Sequence, residues 1–157
     1  MTWSLAIANG DLVLSNSDYA VVTGEQKLIQ DLTCYLLESM GTDPNHPDTG
    51  SLLDGGVDGS GVIHQSMIGL PNANALSEAL VQSEVARILM AYQNMQIQRA
   101  KSDRLQYGKT TFSLGEVLLS VDSISLTSVS DTLIVTIGIT TGNDTTVGLS
   151  VPLTPTI

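Results

Sequence analysis

The residues best suited to chemistry concentrate in one stretch, Asp43-Pro44-Asn45-His46-Pro47-Asp48, with Asp54 and Asp58 following it. A histidine between two carboxylates has the mixed character of a transition-metal site, and the Asp residues together have the oxygen-rich character of a Ca²⁺ site. Asp54-Gly55-Gly56-Val57-Asp58-Gly59 does not have the alternating acidic positions and closing Glu of an EF-hand loop. Short Asp and Asn side chains in such runs ordinarily bond to nearby backbone and make solvated turns. That is the reading adopted, so no metal and no cofactor is expected.

Glu38 with Asp43 or Asp48 could supply the two carboxylates of a glycosidase. Any acidic protein offers such pairs, and a Glu near a helix end ordinarily just faces solvent. His46 and His64 lie far apart in the same region, and no nucleophile elbow, HExxH or paired CxxC is present. Gly55 to Gly61 is glycine-rich, but it neither follows a clear strand nor leads into a helix, the context a phosphate cradle needs. Cys34 has no disulfide partner and no visible activating neighbour; in its apolar helical surroundings it reads as a small core residue. The chain is not expected to be an enzyme.

The elements that would position these residues are legible from periodicity. Residues 1–23 read as short strands with turns at Asn9-Gly10-Asp11 and Ser15-Asn16-Ser17-Asp18, an N-terminal β-hairpin region. Thr23 and Gln26 have capping-box spacing, and Leu28, Ile29, Leu32, Tyr35 and Leu36 make one apolar helical face, so a helix is predicted over 24–40 with Gly41 as its stop. Residues 41–74 hold Pro44, Pro47, Pro71 and seven glycines, a composition that breaks regular structure and predicts a long binding loop. No internal repeat is visible.

A second helix is predicted from a cap at Asn74 to about Ser102. Its stripe is Leu76, Leu80, Val81, Val85, Ile88, Leu89, Tyr92 and Met95, more suited to core than to a cofactor, and Arg99 and Lys101 near its C-terminal end suit the helix dipole. From Val117 to Val151 the chain reads as antiparallel strands, with strict alternation from Leu133 to Thr140, turns at Ser128–Asp131 and Thr141–Asp144, and one face lying under the helices. The fold class is α+β in a single domain spanning 1–157: an N-terminal β-hairpin, two main helices separated by a long Pro/Gly-rich loop, and a C-terminal antiparallel sheet. Charge is sparse between Ile124 and Val151, so a sheet edge or face there is expected to be covered by a neighbouring chain.

Composition narrows the partners. With 6 Lys+Arg against 16 Asp+Glu the formal charge is −10. Such a surface repels phosphate backbones and anionic membranes, so neither nucleic acid nor membrane insertion is expected. No stretch approaches a membrane span of roughly 18 apolar residues. The N-terminus lacks the basic and apolar regions of a secretory signal, so synthesis in the cytoplasm is expected.

The succession Gly10-Asp11-Leu12-Val13-Leu14, Gly24-Glu25-Gln26, Leu36-Leu37-Glu38-Ser39, Gly41-Thr42, Pro47, Gly50 and Leu52-Leu53 resembles the baseplate-wedge family of phage tails and contractile injection systems, whose members have also been called tail lysozymes. That family has a helix ending in Leu-x-Ser/Thr, a Gly-containing turn, and then Pro-x-x-Gly-x-x-Leu; Leu37, Ser39, Gly41, Pro47, Gly50 and Leu53 match here. Many members carry a Glu-Pro-Arg-like signature near the start of the second helix, and Glu84-Val85-Ala86-Arg87 is the nearest stretch, without the proline. The resemblance implies a structural component of a bacteriophage virion, in the tail or baseplate, assembling with other tail proteins and with copies of itself in a ring. Pro47, Gly50, Leu52, Leu53 and Arg87 would then be subunit contacts, and deleting residues 43–60 would spare the fold while abolishing incorporation. A small peptidoglycan hydrolase and a Ca²⁺-dependent binding module are the competing expectations.

Overall fold

The computed structural model describes residues 2–9, 11–15, 18–44, 49–68, 75–129 and 132–153, the side chains of 75–77 excepted. Among them, six two-residue strands open the chain: β1 (Ser4–Leu5), β2 (Ile7–Ala8), β3 (Asp11–Leu12), β4 (Leu14–Ser15), β5 (Asp18–Tyr19) and β6 (Val21–Val22). The region is β as predicted, but it holds three antiparallel pairs, β1 with β6, β2 with β3 and β4 with β5. They meet in a closed cycle of backbone hydrogen bonds: Ala6 N–H donates to Ala20 O (2.8 Å), Ala20 N–H to Val13 O (2.9 Å) and Val13 N–H to Ala6 O (2.9 Å). These hub residues recur every seven positions and are half-buried while most of their neighbours are exposed. Pairs this short are marginal alone in water. They are tied down by Gln30, whose amide donates to Leu5 O (2.8 Å) and accepts from Ile7 N–H (2.9 Å).

Gln30 belongs to α1 (Gly24–Leu37). Leu28, Leu32 and Leu36, one turn apart, are its buried face, with Ile29 and Tyr35 packed beside them. The predicted capping box does not form. Thr23 has extended backbone but makes no side-chain cap bond, and its carbonyl instead accepts from Lys27 N–H at 3.5 Å. The helix also stops before residue 40, because Glu38 turns extended (φ −74°, ψ 123°). Cys34, expected in the core, is exposed: two residues from both Leu32 and Leu36, it lies on the far side of a 3.6-residue turn.

The predicted structureless loop contains two strands of a small sheet, β8 (Ser51–Val57) and β9 (Ile63–His64), whose third strand, β7 (Ser39–Met40), directly precedes it. β8 is central, parallel to β7 and antiparallel to β9. Glycines just before it and within it mark close backbone approach. At Gly50 (φ +93°), a Cβ would lie 2.7 Å from Glu38 O; at Gly56 (φ +143°), it would lie 2.7 Å from Met40 O. Glycine composition there signals tight strand packing, which local sequence rules read as a breaker.

α2 (Ala75–Tyr107) outlasts its predicted end at Ser102. It stops at Gly108 (φ +69°), whose N–H donates to Arg104 O. The returning segment holds the last turns: Thr111 donates to the Asp103 carboxylate through both N–H and Oγ1, and Arg99 lies 5.3 Å from the Phe112 ring centroid. Val81, Val85, Ile88, Leu89 and Tyr92 are buried as predicted, whereas Leu80 and Met95 are exposed. The predicted Asn74 cap and the side chain of Leu76 fall outside the described residues.

A 3-10 turn at Leu114–Glu116 leads to β10 (Leu118–Val129), β11 (Thr132–Thr141) and β12 (Thr146–Leu153), an antiparallel sheet in that order. Register pairs Val135 with Val151 and Ile137 with Leu149, so one face of β11 and β12 is continuous, and it is buried with Leu28, Leu32, Ile88 and Leu89. Pro152 sits on the edge strand β12, where a missing N–H is tolerated. The fold is α+β, with the helices covering the apolar face of the C-terminal sheet.

Candidate functional site

The residues singled out by motif converge on the contact between α2 and β8. Glu84, 6% exposed, accepts Leu52 N–H through Oε1 (2.8 Å). Arg87, one turn along, donates Nε to Glu84 Oε2 (2.8 Å), Nη2 to Glu84 Oε1 (2.7 Å) and Nη2 to Gly50 O (3.0 Å). Ser51 N–H donates to Glu38 O at 2.7 Å. The start of β8 is therefore held between the end of α1 and a carboxylate–guanidinium fork on α2. Hydrogen bonding to Glu84 raises the Arg87 pKa further, against the opposing effect of partial burial. A fork of this kind recognises two backbone groups at fixed geometry, which a lysine would not do.

Of the five residues expected to contact other subunits, four come together here. Leu53, 1% exposed, is part of the core, and Gly50 is also buried; Leu52 and Arg87 are half-buried. Pro47 lies outside the described residues, as do His46 and Asp48. The motif thus marks an intrachain junction, and only its Leu52–Arg87 side reaches the surface. Beside it lies a shallow pocket of about 180 Å³, lined by Leu36, Leu37, Leu53, Asp54, Ile68 and Pro152 among others.

Two of the loop carboxylates have local hydrogen-bonding roles. Asp58 accepts from Ser60 N–H (3.0 Å), Ser60 Oγ (2.6 Å) and Val62 N–H (3.0 Å) through Oδ1, while Oδ2 meets His64 Nε2 at 2.9 Å. The His64 bond, then those from Ser60 and Val62, hold Asp58 well below the usual carboxylate range. It closes the β8–β9 turn as an Asx-type cap. Asp54 accepts from Ser66 Oγ at 3.2 Å. Among the described residues no group of three or more His, Cys, Asp or Glu is placed to hold a metal ion. No helix among them is long and apolar enough to cross a membrane.

A second polar junction had no signal in the sequence. Glu116, 2% exposed, accepts from Thr2 N–H, Thr2 Oγ1 and Ser113 Oγ, tying the N-terminus to the 3-10 turn. Gln96 donates to Glu116 O (2.7 Å) and accepts from Leu118 N–H (3.0 Å), fixing α2 against the start of β10. Burial pushes the Glu116 carboxyl up, but the Thr2 and Ser113 bonds and the Lys27 charge outweigh it, and the net direction is down. Cys34 is not activated: partial desolvation, then Asp31 and Glu38, push its thiol up, away from the thiolate.

No family model matches the sequence, and no curated protein matches it. Among solved structures, the fold is similar to the crystal structure of a candidate tail lysozyme from Geobacter sulfurreducens, with a TM-score of 0.54 and 14% identity over 94% of this chain and 98% of that one. At that identity the likeness establishes a shared fold, common to both chains over nearly their whole lengths.

Proposed function

We propose that this chain is a structural component of a bacteriophage tail, built into the tail-tip or baseplate assembly beside other tail proteins and copies of itself, and that it turns over no substrate. The observation that carries the reading is the fold shared, nearly end to end, with a protein named as a candidate tail lysozyme. The motif residues support it through the work they do: Gly50, Leu53, Glu84 and Arg87 join helix to strand.

Three carboxylates do not suit the acid that the hydrolytic half of that neighbour's name would require. A glycosidase acid needs a raised pKa. Asp58, Asp103 and Glu116 are instead held below their ordinary values by hydrogen bonds. Of these, Asp103 and Glu116 are largely buried and committed to internal donors.

The test is cryo-electron microscopy of the particle that carries the protein, paired with a peptidoglycan-release assay on the purified chain. Density for this fold at the tail end, with no release above buffer, is the expected result. Absence from the particle, or release that a Glu38→Gln substitution abolishes, would overturn the proposal.

A further inference from the structure

We infer that the cationic C-terminal end of α2 docks on the N-terminal lobe of three strand pairs of a second copy of this chain. Four of the six Lys and Arg residues, Arg99, Lys101, Arg104 and Lys109, fall within eleven residues whose sole carboxylate is Asp103. The rest of the chain sets Lys27 and Arg87 against the other fifteen carboxylates. Those two cations are consumed internally, by Asp31 and Glu84; Arg99 packs on Phe112 and its charge acts on Asp103, while among the described residues Lys101, Arg104 and Lys109 make no ion pair. Asp103 is itself occupied by Thr111.

The helix dipole accounts for only part of this cluster. Its effect falls off within the last turn, and Arg104 is the basic residue there. Lys101 lies a turn earlier, and Lys109 lies beyond the helix. The same end is apolar as well as basic: Leu105 is 89% exposed, and Ile97 and Tyr107 are exposed beside it.

The complementary surface is on the same chain. Residues 1–26 contain no Lys or Arg. Their hairpins present exposed Asp11 and Asp18 among exposed Trp3, Leu14, Tyr19 and Val21. Apolar area of that kind in strands this short is ordinarily covered. Opposite charges around apolar centres steer association and fix its orientation. Because the two surfaces differ, the contact runs from tip to lobe, and it either closes reciprocally in a dimer or repeats around a ring. It rests on the structural reading above for its place in a tail, and on this chain's own charges for the contact.

Sedimentation velocity of the purified full chain, across protein concentration and at low and high salt, tests it. The expected result is a mass that rises with concentration and falls back toward the monomer in high salt. K101E/R104E/K109E and D11K/D18K should each be monomeric, and mixing the two should restore a complex. All five side chains are exposed; circular dichroism checks each fold, and K101Q/R104Q/K109Q replaces the reversal if it fails to fold. A monomer at every concentration, association indifferent to the substitutions, or no recovery on mixing would overturn the inference. Normal entry of the reversed variants into particles would sink this contact while leaving the tail assignment standing. Self-association of a chain absent from particles would do the opposite.

Discussion

Arg87 on α2 donates Nη2 to the carbonyl oxygen of Gly50 at 3.0 Å, across 37 positions of sequence. The same guanidinium grips Glu84, whose other contact is the N–H of Leu52. One ion pair thus reads the carbonyl just before the strand that begins at Ser51 and an amide within it, fixing its register against the helix. Since Leu53 follows directly and is buried, that register decides which side chain enters the core.

Arg87→Ala should leave the carboxylate of Glu84 without its cation in a largely buried place. A loss of about 1–3 kcal/mol is expected, since a buried group is left under-satisfied. Glu84→Ala alone should also destabilise, and the double variant should cost less than the sum, because both remove one interaction. Urea unfolding of the four proteins measures the coupling. Strict additivity would show that the fork contributes no shared energy.

Gly50→Ala should cost about 1–3 kcal/mol through its positive φ, with a further penalty because the new methyl meets Glu38 O at 2.7 Å. Gly61 provides the control: φ is +85° there, but nothing lies within 4 Å of an added Cβ. Gly61→Ala should therefore cost less, as the dihedral term stands alone. Equal melting shifts for the two would mean that the close approach to Glu38 is relaxed without effort.

Acid stability should depend on Glu116. Its folded pKa is depressed, so its contribution is fully present above the unfolded carboxylate value. It is lost as pH falls through the folded pKa. Glu116→Gln should lower stability at neutral pH and flatten the decline on the acid side. A variant whose stability falls with acid as steeply as the parent's would assign the acid limb to other carboxylates.

Deleting residues 43–60, expected from sequence to spare the fold, should instead unfold it. That deletion removes Ser51, Leu53 and Gly55, all buried, together with the strand that α2 grips. Asp58→Ala, by contrast, should loosen only the exposed turn it closes, visible as faster proteolysis near residues 58–62 at an unchanged melting temperature. A cooperative melt retained by the 43–60 deletion would return this segment to the status of a loop.

The elements legible in the sequence are those whose signal is local. Leu28, Leu32 and Leu36 report one helix face, and Val135, Ile137 and Ile139 one strand face, because side-chain direction repeats every 3.6 or 2 residues along a single element. The turn-rich start was legible for the same reason. The seven-residue recurrence of Ala6, Val13 and Ala20 was not, since it is a relation among three backbone groups and not among residue types.

Tertiary structure alone decided the rest. β8 looks like a loop because glycine lacks strand propensity. Gly50 just before it and Gly56 within it nevertheless let the backbone approach Glu38 and Met40, partners reached by folding back on the end of α1. Cys34 faces out, and the last turns of α2 are held by Asp103 meeting Thr111 after the chain has reversed. Glu84 and Glu116 are ordinary acidic residues in the sequence; donors 32 and 114 positions away make them interior groups. Sequence determined which faces are apolar and where the chain turns, since both are written within a few residues. Which carboxylates are buried, and what surface is left uncovered, follows from contacts between distant segments that no local pattern encodes.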